Sequence, residues 1–255
     1  MSIIKTFLPI LALFIFTNCN ENDTSSTTET EVADNSSGEQ SDKNYEVVVD
    51  DLDIPWGFDF LPDGSMIIGE QRGDLIRYKD GQKTPITGLP EIYYRGQGGL
   101  MDIKLHPDYE NNGWIYISYS SPAGEGEGGN TAIMRAKLEG NALVNQEVLY
   151  KATPNSTRGQ HFGSRIVFDD EGYLYFTIGE RGNRDVNPQD ITRDGGKVYR
   201  LNADGSIPTD NPFYNQANAK KAIYSYGHRN PQGMDIHPDT REIWTHEHGP
   251  RGGDE

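Results

Sequence analysis

The sequence predicts an all-β fold of repeated hairpins, a β-propeller, on three observations. A strand–turn–strand phrase recurs along the chain, turn residues punctuate each copy at corresponding points, and runs with helical spacing are scarce. A composition of 34% hydrophobic and 10% aromatic residues is enough to build a core. A lone hairpin buries too little apolar surface to persist in water, so repeated hairpins must pack on one another.

Taken in order, Tyr45–Val49 reads as a strand, and Asp50 to Pro55 leads into the first copy of the phrase, Trp56 to Glu70, which turns at Pro62-Asp63-Gly64. Arg72 to Lys83 adds two more strands around the Asp80-Gly81 turn, giving about four strands per unit. The second copy runs from Gly99 through His106-Pro107-Asp108 to Tyr119. A Gly-rich loop, Ser121 to Asn130, separates it from the strand Thr131–Leu138. No strand-to-helix junction surrounds these glycines, and Glu125 and Glu127 would repel an anion, so the loop is no phosphate cradle. The third copy, Ser164 to Glu180, is followed by an insertion, Arg181 to Asp190, before the strand Lys197–Leu201. Ile223–Tyr226 begins the fourth unit, whose hairpin is Gln232 to Glu247, with a closing loop from Gly249. Four partial units leave strand edges unpaired, so the domain of residues 44–255 reads as incomplete at its C-terminal end or closed by association, for instance as a homodimer.

Met1 to Cys19 has the layout of a secretory signal: Lys5, an apolar run too short to span a bilayer, then Thr17-Asn18-Cys19. Cys19 is the only cysteine, which rules out an internal disulfide. Its place resembles a bacterial lipobox and predicts export with a lipid anchor, periplasmic or at the cell surface; the plainer alternative is an unmodified cysteine in a cleaved signal. Residues 20–43 are a Ser/Thr-rich acidic tether that cannot offset the entropy of ordering. Net charge is 23 − 39 = −16 for the whole chain and 21 − 32 = −11 for residues 44–255, which excludes a nucleic-acid footprint.

The candidate functional residues fall in the loops before the inner strand of each unit: Gln97, then Gln160 and His161, then His228, Arg229, Asn230 and Gln232. In a propeller such loops converge at one end of the central channel. A histidine there is a candidate base, although a lone histidine is more often a hydrogen-bonded structural residue. His228, His246 and His248 suggest zinc only weakly, since the spacing is not that of the helical zinc motif. Gly249-Pro250 with Asp254-Glu255 offers carbonyl and carboxylate oxygens of the kind calcium takes; an acidic loop in water is the other reading.

The phrases Gln97-Gly98-Gly99-Leu100, His161-Phe162-Gly163-Ser164-Arg165, Asp210-Asn211-Pro212-Phe213, Gly227 to Gly233 and Glu247 to Glu255 closely resemble, in register over roughly residues 45–255, the soluble quinoprotein glucose dehydrogenases, also called PQQ-dependent aldose sugar dehydrogenases. The resemblance implies a six-bladed propeller, about four blades of it present here. It also implies oxidation of the C1 hydroxyl of an aldose to a lactone with pyrroloquinoline quinone (PQQ) and calcium, the final electron acceptor being unknown. His161 then resembles the general base, and Arg229 the cation beside the quinone. Asn230 and His248 match cofactor contacts, Gly249 and Pro250 match carbonyl ligands of calcium, and Glu255 matches a carboxylate of a second calcium site. Gln97 matches a sugar contact. Gln160 and Arg181 replace an acid and a glutamine of the best-known members and so mark positions bearing on the sugar accepted. A calcium-dependent propeller lactonase and a non-catalytic binding propeller are the alternatives from other classes.

Overall fold

The computed structural model describes residues 45–252. The signal segment, Cys19, the tether and Glu255 lie outside the described residues.

Antiparallel hairpins assemble into blades in the order the repeats suggested. The first blade is β1 (Pro55–Phe60), β2 (Met66–Glu70), β3 (Asp74–Lys79) and β4 (Gln82–Pro85), hydrogen-bonded in that order. The second is β5 (Leu100–Leu105), β6 (Trp114–Ser121), β7 (Asn130–Glu139) and β8 (Ala142–Lys151), with a single helical turn, α1 (Tyr109–Asn112), between β5 and β6. The third is β9 (Ile166–Phe168), β10 (Leu174–Ile178), β11 (Lys197–Leu201) and β12 (Ile223–Tyr226), and the last hairpin pairs β13 (Pro231–Ile236) with β14 (Ile243–Glu247). First strands of successive blades lie side by side, β1 against β5, β5 against β9 and β9 against β13, which makes them the inner strands. No helix among the described residues is long and apolar enough to cross a membrane.

The middle strands β6 and β10 are buried on both faces because the second and third blades each lie between two others. In β6, Ile115, Ile117 and Tyr119 enter the core shared with the first blade, while Tyr116, on the opposite face, enters the core shared with the third. In β10, Leu174, Phe176 and Ile178 join that second core, whereas Tyr175 packs with Val198 and Met234 toward the last hairpin. The period-2 alternation thus sorts side chains between two cores rather than between core and water.

Close approach of the inner strands explains one glycine. A Cβ on Gly57 of β1 would lie 2.6 Å from the Met101 carbonyl oxygen of β5. Register shifts recur at the start of inner strands, at Pro55/Gly57, Leu100/Ile103 and Pro231/Gly233, where bulges re-aim the entering loops.

One expected strand is absent: residues 45–49 do not form a β-strand, and Val47 and Val48 are exposed. A β-branched run favours extended backbone, but a strand exists only where a partner edge satisfies its N–H and C=O groups.

Candidate active site

Antiparallel pairing puts the start of each inner strand and the end of its hairpin partner at the same end of the blade. The loops at 158–165, 179–196, 227–230 and 247–250 therefore meet there. They enclose an open cleft of about 400 Å³ lined by Arg158, Gln160, His161, Glu180, Arg184, Asp185, Arg229 and Pro250, among others.

His161 is held from three sides. Its backbone N–H donates to the Gln97 side-chain oxygen at 2.7 Å. Its carbonyl accepts from the Arg181 N–H at 3.3 Å. Its ring Nδ1–H donates to Glu180 Oε1, whose side chain is only 2% exposed. With Nδ1 engaged, Nε2 is left as the basic nitrogen, the arrangement that suits a general base. His161 also adopts a left-handed backbone (φ 59°), uncommon for a residue with a side chain and characteristic of sites whose geometry is fixed by their surroundings. Beneath it, Asn230 is buried; its Oδ1 accepts the Gly163 N–H at 3.0 Å, while its Nδ2 has no hydrogen-bond partner.

The last hairpin repeats the pattern. Glu247 Oε1 lies 3.4 Å from His228 Nδ1, and Oε2 accepts the backbone N–H groups of Arg229 and Asn230. The Ser225 hydroxyl donates to His228 Nε2 at 2.8 Å. Burial works to raise the Glu247 carboxyl, but the bonds from His228, Asn230 and Arg229 outweigh it and hold it below its ordinary value. This network fixes the loop that presents Arg229, whose guanidinium donates to the His248 carbonyl at 2.9 Å.

The structure brings His161, Gln160, Arg229 and Pro250 to one cleft and places the other expected residues differently. Gln97 uses its amide oxygen to anchor His161. Asn230 supports the loop from below. Arg181, expected to face substrate, turns inward instead. It is 3% exposed, stacks 3.4 Å over the Phe162 ring and donates to the carbonyls of Gln160, Arg158 and Gly129. A cation stacked on an aromatic face and ringed by carbonyl dipoles is compensated there without reaching the cleft. Sequence reasoning singled out neither Glu180 nor Arg158. The signal for Glu180 was positional: Glu70, Glu180 and Glu247 each stand at or just after the end of a hairpin's second strand, and each accepts from the loop leading into the first.

Comparison with known proteins places this arrangement among relatives. The family model described as Glucose / Sorbosone dehydrogenase matches residues 52–255. The aldose sugar dehydrogenase YliI of Escherichia coli is 41% identical over 217 residues, covering 83% of this chain and 58% of the relative. Quinoprotein glucose dehydrogenase B of Acinetobacter calcoaceticus is 31% identical over 238 residues, 82% and 49% of the two chains. The PQQ-bound aldose sugar dehydrogenase of Streptomyces coelicolor superposes with a TM-score of 0.70 at 30% identity, covering 82% of this chain and 61% of that one. The chain thus spans about half the length of the curated relatives it matches.

Proposed function

Because the chain belongs to the glucose/sorbosone dehydrogenase family, we propose that it serves a PQQ-dependent oxidation of the C1 hydroxyl of an aldose to the lactone. The observation that carries this reading is the His161–Glu180 pair in the same cleft as Arg229.

The residues present fit such a cofactor. PQQ is a tricarboxylate, and the cleft sets Arg158, Arg184 and Arg229 against Glu180 and Asp185, 3 − 2 = +1, in a domain whose net charge is −11. Arg229, held by the His248 carbonyl on a loop fixed by Glu247, would face the quinone. When bound, the cofactor supplies a two-electron acceptor for the C1 hydride.

The chain's own part is proton transfer and positioning. Neutral His161 takes the hydroxyl proton on Nε2 as the C1–H bond breaks, and Glu180 stabilises the imidazolium that results and prevents ring rotation. Arg229 lowers the energy of negative charge gathering opposite the hydroxyl without having to reorganise. Gln160 lines the cleft as the nearest neighbour of the base in sequence and is our candidate for contact with the sugar.

We propose calcium as the ion that accompanies the quinone. Among the described residues no group of three or more His, Cys, Asp or Glu is placed to hold a metal ion. An ion here would rest on main-chain oxygens of Gly249 and Pro250, hard donors that suit calcium, with Glu255 reserved for a second site. Export and lipidation at Cys19 rest on residue order alone; palmitate labelling that is lost in Cys19→Ala checks them.

The test is reconstitution of the full-length protein with PQQ and calcium, followed by an aldose assay with an artificial electron acceptor. Oxidation should disappear on chelation, return with calcium, and fall in His161→Ala and Arg229→Ala. An inert preparation indifferent to these changes would sink the reading.

A further inference from the structure

Strand pairing sets the exits of two functional loops on either side of one residue. Lys197, the first residue of β11, lies opposite Ile178, the last of β10, and opposite Tyr226, the last of β12. Beyond Ile178 the chain passes Gly179 to Glu180, the partner of His161; beyond Tyr226 it passes Gly227 and His228 to Arg229. The carboxylate behind the base and the cation are thus carried by loops that leave the sheet at one level, on the two neighbours of β11.

The Lys197 side chain reaches into the segment between those loops. It is shut off from solvent, and its ammonium donates to the carbonyls of Asn187, Pro188 and Gly195, the last two at 3.2 and 2.7 Å. An ammonium carries three donors and no acceptor, so three carbonyls satisfy it and are held in place by it. Each gripped point passes the restraint on. Asn187 donates through Nδ2 to the Glu180 carbonyl at 3.1 Å. The Pro188 carbonyl also accepts the Gly227 N–H at 3.0 Å, and next to Gly195 the Gly196 carbonyl accepts the His228 N–H at 3.1 Å. The Glu180 N–H donates to the Arg229 carbonyl at 2.8 Å, which closes the circuit between the two loops.

We infer that Lys197 is a positioning residue for the reaction: from β11 it fixes the placement of the His161–Glu180 pair relative to Arg229. The inference rests on the dehydrogenase reading for what those groups do. A base and a cation must meet one reacting bond from set positions, and misplacement by an ångström costs on the order of 100-fold. Loops alone do not hold such a spacing. The five buried residues of β11 supply the rigid footing.

Two readouts of the full-length protein test this, one of them without cofactor. The His161 Nδ1–H held by Glu180 should give a downfield proton resonance, assigned by its loss in His161→Ala. Lys197→Met and Asn187→Ala should move or broaden that resonance. Leu143→Ala, a core deletion on the outer strand β8, should lower stability and leave it in place. In the PQQ-loaded protein Lys197→Met should lower kcat about 10- to 100-fold with KM within about threefold of wild type. Its cost should shrink by about threefold or more once Glu180→Gln has already disrupted the pair. Asn187→Ala, half-buried in its loop, carries the same test if Lys197→Met does not fold. An unmoved resonance, a fully additive double variant, or an equal loss of kcat in Leu143→Ala overturns the role. A resonance that moves in a protein that oxidises no aldose would refute the dehydrogenase reading alone.

Discussion

Glu180 holds the His161 ring as Glu247 holds His228, and in both cases histidine and glutamate are 19 residues apart because each pair closes the same end of a hairpin. Glu180→Gln keeps the shape and can still accept from Nδ1–H, but it removes the charge that stabilises the imidazolium. We expect kcat to fall about 10- to 100-fold with thermal stability little changed, and steady-state kinetics of the PQQ-loaded protein measures it. A second residue-scale prediction concerns Lys197, which is shut off from solvent and donates to the carbonyls of Asn187, Pro188 and Gly195. Burial pushes its ammonium down to about 8 from the usual 10.5. Between those values the unfolded chain binds the proton and the native chain does not, so this group's contribution to stability rises with pH across the window. Lys197→Met leaves three carbonyls without their donor, costing about 1–3 kcal/mol, and lacks that rise. Melting temperatures from pH 7.5 upward should show the gap between wild type and variant widening; a gap that narrows contradicts the account. His161 and Arg229 were legible in the sequence because they sit in distinctive phrases. Glu180 was harder to see because its role depends on which loops the pairing brings together, and Arg181 was misplaced because spacing carries no information on whether a side chain turns in or out.

At the scale of elements, the hairpins were legible because turn chemistry and alternation are local, and all four copies of the phrase form inner-strand hairpins. The run Tyr45–Val49 was not, since its fate depends on a partner edge that local sequence does not specify. The join between a hairpin and its site loop is tight. A Cβ on Gly179, just past β10, would collide with the His161 carbonyl and lie 2.7 Å from Asn230 Oδ1. Gly179→Ala should therefore displace the base loop relative to Glu180 while leaving the sheets formed. The expected loss is roughly 10- to 100-fold in kcat/KM, the usual effect of sub-ångström to ångström misplacement. Unchanged far-UV circular dichroism alongside that loss would locate the fault in positioning; full activity would show that the loop tolerates the shift.

Across the whole molecule, the blades share more than apolar cores. Asp102 on β5 is buried, and its Oδ1 pairs with Arg165 at 2.9 Å while Oδ2 accepts the Ile166 N–H at 2.7 Å. Arg165 in turn donates through Nε to the Gln232 carbonyl of β13 at 3.0 Å. One carboxylate thus ties the inner strands of three successive blades. Burial raises the Asp102 carboxyl above its ordinary value, against the pull of Arg165 and the Ile166 N–H, so the native state binds its proton more readily than the unfolded chain. Its contribution to stability therefore grows as pH falls through that raised value and shrinks above it. Removing the carboxylate is another matter, because Asp102→Ala strands Arg165 and the Ile166 N–H together. The cost should be about 3 kcal/mol or more, whereas Asp102→Asn, which can still accept from Ile166, should lose less. Denaturant unfolding distinguishes a link from a local contact. If the carboxylate couples blades that already share cores, Asp102→Ala lowers the midpoint of a single transition with its slope unchanged. If the blades instead separate into two transitions, as repeat arrays do when neighbour coupling weakens, the carboxylate contributes most of that coupling and the shared cores contribute less than their burial suggests.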